Sequence, residues 1–371
     1  MDGFALGLLV TSMEILGAAA GDDLQLPAMY VFGDSTLDVG NNNYLPGTNV
    51  PRADKPYYGI DFPGFPTGRF SNGYNTADLI AKKIGFKNSP PPYLSLAPSS
   101  GLLVATALSA GVSYASGGAG ILDSTNAGNN IPLSKQVQYF SATRSEMIAA
   151  VGSGEVRARL NRSVVLIGIA GNDLSVFANA EQAHNRSASE HAAAFYDTLI
   201  SNYSAAITDL YDLGARKFAV IGVGLAGCLP MARVLDAAAG ACDGDRNQLA
   251  GGFNDAVGSL LASLAARLPG FVYSLADSLG LMAATFADGG GPQASSGFTD
   301  VADACCGVGR LGGEGPCRPN ATLCADRDRF YFWDWVHPTQ RAAMLRAQAF
   351  YDGPPQYTTP INFKQLVDTI A

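Results

Sequence analysis

Residues 28–35 read AMYVFGDS, a short apolar run rich in β-formers that stops abruptly at Gly33-Asp34-Ser35. An apolar run of that length closed by a turn signal predicts a buried strand, and the polar residues after it predict a functional loop at its carboxyl end. The pattern recurs along the chain. SVVLIGIAGND (163–173) is a second apolar run, ending at Gly171-Asn172-Asp173, and KFAVIGV (217–223) and FVYSL (271–275) read as two further strands. Helical patterns lie between them: TADLIAKKIG (76–85) with a glycine stop, a long one over 188–213, and another over about 246–267. Pro338 stands where a proline opens a helix, which QRAAMLRAQAF continues.

Strands alternating with helices predict right-handed crossovers and a mostly parallel sheet with helices on both faces. Ligands of such sheets bind beyond the carboxyl ends of the strands, where GDS and GND both fall. Residues 41–73 are rich in Asn, Gly, Pro and Tyr, include PTGRFSNG (66–73), and read as an ordered surface loop. No repeat, low-complexity tract or linker divides the chain.

Of the 371 residues, 47% are hydrophobic and 15% charged, an ordinary folded composition, and the formal net charge is −8. That charge argues against nucleic acid, whose phosphates need a basic surface, and against an anionic membrane. The first 20 residues, MDGFALGLLVTSMEILGAAA, place an apolar run from Phe4 to Val10 ahead of small residues ending Ala18-Ala19-Ala20, the outline of a secretory signal and its cleavage region. It is an atypical one, with acidic Asp2, no Lys or Arg in front, and Glu14 inside the apolar stretch; Glu14 also speaks against a membrane anchor.

Six cysteines (Cys228, Cys242, Cys305, Cys306, Cys317, Cys324) form two local groups without a C-x-x-C pair, which fits disulfides better than zinc. Cys228 and Cys242 are expected to bridge each other; the other four should pair among themselves, with three connectivities open. Four N-x-[ST] sequons, at Asn161, Asn185, Asn202 and Asn320, add to the case for secretion.

The chemistry narrows by exclusion. Gly222-Val-Gly-Leu-Ala-Gly227 matches a dinucleotide fingerprint, but Cys228-Leu229-Pro230 spoils the helix that should follow, and a tight glycine turn is the better reading. No phosphate or metal motif occurs, so neither metal nor cofactor is expected. What remains is hydrolytic. Ser35 at a strand exit can serve as a nucleophile if a base takes its proton. The chain has three histidines. His184 and His191 sit in a polar segment and read as exposed surface. His337, in FWDWVHPT (332–339), has Asp334 three residues back to orient it and stabilise its cation, with Trp333 and Trp335 to limit solvent. Asn172 and the Gly117-Gly118 pair offer donors for an oxyanion. The G-x-S-x-G elbow of α/β-hydrolases is absent.

VFGDSTLDVGNNN (31–43), GVSYASGGAGILD (111–123), IGIAGNDL (167–174) and FWDWVHPT (332–339) resemble, in order and spacing, the four blocks of the GDSL esterase/lipase family within the SGNH hydrolases. The tract YYGIDFPGFPTGRFSNG and the CCG cluster resemble its plant branch. The resemblance implies an α/β/α three-layer sandwich around a mostly parallel five-stranded sheet, flavodoxin-like, with residues 21–371 as one domain after the signal. It implies Ser35 as nucleophile, His337 as general base, Asp334 as its orienting acid, and an oxyanion hole of the Ser35 N–H, Gly118 (Gly117 one register away) and Asn172. Ser113 stands where the family usually has Asn, which puts local support of the block-two loop in doubt. The expected protein is a secreted or cell-wall serine esterase without cofactor, acting on acyl lipid or acetyl esters, with a small-molecule or polysaccharide ester as its partner and no stable membrane insertion. Its rivals are a cell-wall polysaccharide O-acetylesterase and a catalytically silent binding protein on the same fold.

Overall fold

The apolar run at 29–33 forms β1 (Met29–Gly33), every residue of it buried. Three parallel strands follow beside it in chain order: β2 (Val164–Gly168), β3 (Lys217–Ile221) and β4 (Val272–Ala276). The computed structural model describes residues 28–235, 240–288 and 295–369; the expected signal over 1–20 lies outside them. A fifth strand, Thr358–Thr359, closes the sheet antiparallel to β4, pairing Leu275 with Thr359 and Ala276 with Thr358. The mostly parallel five-stranded sheet is thus present, although its last strand has no apolar run to announce it.

Side chains alternate across a strand, so each face of the sheet collects its own set. Tyr30, Phe32, Val165, Ile167, Phe218 and Val220 pack beneath the helices Leu133–Val151, Ala193–Asp212 and Gly244–Arg267. Met29, Val31, Val164, Leu166, Ala219 and Ile221 pack on the other face against Thr76–Ile84, Gln340–Asp352 and Phe363–Asp368. These are the three layers. Register aligns Gly33, Gly168 and Ile221 across the carboxyl edge. Gly33 has φ +149°, and a Cβ there would stand 2.2 Å from the Gly168 carbonyl oxygen, so only glycine allows β1 and β2 to approach this closely.

Three expectations need correction, and three helices went unread. β2 ends at Gly168, and Gly171–Ala183 is a helix, so Asn172 lies in a first helical turn and not at the tip of a strand. Pro338 does not open the last long helix: Thr339 caps it, its hydroxyl accepting from the Ala342 N–H, because a hydroxyl satisfies an otherwise orphaned amide and proline cannot. β3 stops at Ile221, two residues short of the expected end. The helices Ser100–Ser109, Leu133–Val151 and Ser153–Arg162 were not read from the sequence at all. The 222–227 glycine segment leaves β3 without regular structure and enters a short 3-10 helix, Ala226–Cys228, followed by the four-residue helix Pro230–Arg233 and not by a long one.

Disulfides join Cys228 to Cys242, Cys305 to Cys324 and Cys306 to Cys317. Neighbouring residues of an extended chain face opposite sides, so Cys305 and Cys306 reach different partners. Their amides bond to the carbonyls of Phe332 and Trp333, which fastens the cysteine cluster to the segment leading into Asp334.

Candidate active site

Asp334 and His337 come together through a tight local turn. The Val336 and His337 amides both donate to Asp334 Oδ1, at 2.9 and 2.8 Å, as a carboxylate commonly receives from the residues just after it. The Trp333 amide closes the turn on the His337 carbonyl at 2.7 Å. This fold of four residues puts His337 Nδ1 2.8 Å from Asp334 Oδ1 and 2.9 Å from Oδ2. An imidazole nitrogen facing a carboxylate carries the proton, which leaves Nε2 as an acceptor. Nε2 stands 2.7 Å from Ser35 Oγ, across 302 residues of sequence. The two segments meet because β1 delivers Ser35 to the carboxyl edge of the sheet.

Asp334 is fully buried. Burial alone would raise its pKa, but the charge of His337 and the bonds from its ring and from two amides hold the carboxyl below the usual range. Phe70 lies 4.9 Å from the imidazole between ring centres. Of the two tryptophans expected to exclude solvent, Trp333 is fully buried and Trp335 half-buried. His184 and His191 are exposed.

Hydrogen bonds tie together the segments that carry the expected oxyanion donors. Asn172 Nδ2 donates to the Ala119 carbonyl at 2.9 Å, which uses one of its two N–H bonds. Asp173 is buried and receives the Ile121 and Leu122 amides and the Thr125 hydroxyl, so the GND segment grips the whole 119–125 loop. On the loop's other side, buried Asp38 accepts from the Gly117 amide at 3.1 Å as well as from Gly40 and Asn41. The Gly117 N–H is therefore engaged, and Gly118, at φ +83°, is the glycine left to donate. Burial pushes the Asp38 carboxyl up to about 6 against those three amides.

Sequence reasoning missed this support. Asn42 Nδ2 donates to the Gly117 carbonyl at 2.8 Å, and Gln136 clasps both the N–H and the carbonyl of Gly33. Asn41 Nδ2 holds the carbonyls of Ser113 and Ala115, each at 2.9 Å. Among the described residues the buried Ser113 hydroxyl has no partner, and loop support at this unusual position comes from Asn41 and from the backbone of Pro91 and Tyr93. A signal existed in the run Asn41-Asn42-Asn43: asparagines are expensive to bury unless they have partners, and Asn41 and Asn42 are buried. Tyr58 was missed as well; its hydroxyl donates to Asp334 Oδ2 at 2.7 Å.

Ser35 and Asn172 line a cavity of about 320 Å³. Its walls are chiefly apolar, including Leu174, Ile221, Val223, Leu225, Leu229 and Met282. That volume lies at the lower end of small-molecule sites, about 300–1,000 Å³. Among the described residues no group of acidic, cysteine or histidine side chains could hold a metal ion, and no helix is long and apolar enough to cross a membrane.

The mostly parallel sheet is that of an α/β protein, with Ser35 and an apolar cavity at its carboxyl edge. The family model for GDSL-like lipase/acylhydrolase matches residues 29–350, and the chain belongs to that family. Among curated relatives, GDSL esterase/lipase At5g55050 of Arabidopsis thaliana is 37% identical over 374 residues, covering 98% of this chain and 96% of the relative. GDSL esterase/lipase At4g16230 is 34% identical over 371 residues, at 98% and 97% coverage, and GDSL esterase/lipase LTL1 is 36% identical over 363, at 96% and 95%, both from the same plant. The chain is accordingly an ester-hydrolysing enzyme.

Proposed function

We propose that this enzyme cleaves carboxylic esters through an acyl-enzyme on Ser35. His337 Nε2 removes the Ser35 proton as Oγ attacks the ester carbonyl, and returns it to the departing alkoxide. Asp334 fixes the tautomer and stabilises the imidazolium that forms. The oxyanion is met by the N–H groups of Ser35 and Gly118 and by the second N–H of Asn172, at the positive end of a helix. Water then repeats the sequence to release the acid. The observation that carries this reading is the unbroken line from Asp334 through His337 to Ser35 at hydrogen-bond distances. A binding protein that had shed catalysis would have no need to keep that line.

For substrate, the apolar cavity favours an acyl chain longer than acetyl, because each buried CH₂ contributes about 0.8 kcal/mol. p-Nitrophenyl esters of increasing chain length, assayed beside acetylated xylan with Ser35→Ala as control, test both parts. Activity rising beyond acetyl and vanishing in Ser35→Ala is the expected result; activity confined to acetylated xylan would make the enzyme a polysaccharide deacetylase. We also infer passage through the secretory pathway, on three disulfides and the exposed sequons Asn185, Asn202 and Asn320. Asn161, half-buried in the helix Ser153–Arg162, is the least suited of the four to carry a glycan.

A further inference from the structure

The loop at 41–73 folds over the Asp334–His337 pair and does not simply cover the surface. The Gly59 amide bonds to the Ser71 carbonyl at 2.9 Å, the Asp61 amide to the Asn72 carbonyl at 2.8 Å, and Asp61 takes a two-pronged bond from Arg327. Tyr57 donates to the Pro319 carbonyl, and Asn72 Oδ1 receives the Gln340 amide. The loop is thereby tied at several points to the segment 319–340 that carries Asp334 and His337. Between these ties Tyr58 is buried, its ring edge-on to both Trp333 and Phe70, and Phe70 in turn faces the His337 ring.

We infer that Tyr58 is a positioning residue of the catalytic device, setting through its hydrogen bond to Asp334 how strongly that carboxylate holds a proton on His337. This rests on the triad reading above. Asp334 Oδ1 is supplied by two amides and the imidazole, whereas Oδ2 has only the imidazole and the Tyr58 hydroxyl among the described residues. Tyr58 therefore supplies the second donor on Oδ2 of a fully buried carboxylate. The phenol stays protonated: burial first, and the Asp334 charge second, push its ionisation well above the ordinary tyrosine range. It can only donate.

The sign of its effect follows. A donor on a carboxylate spreads the negative charge and weakens the pull of that carboxylate on the imidazolium. Remove the donor, and the Asp334–His337 pair binds its shared proton more tightly, whichever of the two is taken to hold it. The general base is then released only at higher pH. The other charged groups in reach do not reverse this. Asp34, on the β1 side, favours the imidazolium in both wild type and variant; Arg346, from the helix Gln340–Asp352, acts on Asp34.

The test is the pH dependence of kcat/KM in Tyr58→Phe, which keeps the ring and its packing and deletes the hydroxyl. We expect the acid limb to move up by about one pH unit, equivalent to about 1.36 kcal/mol, with kcat on the plateau lower by several-fold and KM little changed. Tyr58→Leu, which also loses the edge contacts, should shift the limb equally while lowering the melting temperature further. An acid limb in Tyr58→Phe that overlays the wild type overturns the inference and leaves Tyr58 a packing residue. Should Tyr58→Phe be too unstable to assay, the same comparison by NMR of the downfield Nδ1–H resonance of His337 at low temperature decides it: an unmoved resonance overturns the inference. Ser35→Ala keeps the two claims apart: wild-type turnover there would defeat the triad, whereas an inactive Ser35→Ala beside an unshifted Tyr58→Phe would defeat only the role of Tyr58.

Discussion

The side-chain amide of Asn172 donates to the carbonyl oxygen of Ala119 at 2.9 Å, so a residue in the first turn of one helix holds the loop that presents Gly118. Asn172 braces the loop with one N–H, and on the proposed mechanism its other N–H meets the oxyanion. Asn172→Ala should lose about 10²–10³ in kcat with KM nearly unchanged, because the ground-state carbonyl uses that donor far less than the tetrahedral intermediate does. Loss of the brace should also lower the melting temperature, by roughly 2 °C for one hydrogen bond. Steady-state kinetics beside thermal melts separate the two: a lowered melting point with kcat within a few-fold of wild type would leave Asn172 a brace alone.

Asp334 is held charged well into acid by His337 and its amide donors, despite full burial. On the proposed mechanism the acid limb of kcat/KM should report loss of the neutral imidazole and not of the Asp334 carboxylate, which stays charged to lower pH. Asp334→Asn removes the charge that favours the imidazolium, so the limb should move to lower pH while kcat falls by about 10⁴, the wrong tautomer being favoured. Its depressed carboxyl also stabilises the fold above the unfolded pKa of about 3.9, a contribution lost as pH falls through the lower folded value. A pH–rate profile with an unmoved acid limb in Asp334→Asn would reassign the orienting group.

Cys305 and Cys306, bridged to Cys324 and Cys317, hold the segment Phe332–Trp333 through their amides, immediately before Asp334. Reduction should therefore damage the site as well as the fold. Loops closed over 11 to 19 residues contribute about 3 kcal/mol each in the chain-entropy model. Dithiothreitol should lower the melting temperature markedly and reduce kcat at temperatures below the melt. Activity that persists unchanged in demonstrably reduced protein would show that the cysteine cluster does not support Asp334.

Val223 lines the cavity from the segment after β3 and is only half-buried, with its N–H and carbonyl held by Asn254. Val223→Phe should fill cavity space without disturbing the backbone. We expect kcat/KM to drop tenfold or so for longer acyl chains and hardly at all for acetyl, given about 0.8 kcal/mol for each CH₂ displaced. Equal losses across the ester series would place the acyl chain elsewhere.

What the sequence reveals depends on how local the determinant is. The four parallel strands were legible because each is a compact apolar run ended by a break, and Asp334–His337 because three residues of spacing are closed by a turn. Ser35 was legible by its place at a strand exit. Thr358–Thr359 was not: two residues before a proline carry no periodicity, and only the exposed edge of β4 makes them a strand. Tyr58 was hidden for a related reason, its partner being 276 residues away and its loop without a repeating pattern. Gly117 and Gly118 could be separated only once Asp38 was seen to occupy the first. Thr339 could have been read as a cap from its residue type, but the adjacent proline drew the boundary two residues early.

The account stands on Ser35 being the atom that takes the acyl group. A fluorophosphonate ester, which transfers its phosphonyl group to an activated serine with loss of fluoride, traps that atom directly. Peptide mapping by mass spectrometry after labelling should place a single stoichiometric adduct on Ser35, with activity lost in step and no labelling of Ser35→Ala or His337→Ala. Stoichiometric labelling of a different serine accompanied by full inactivation, or full activity in protein labelled at Ser35, would contradict it.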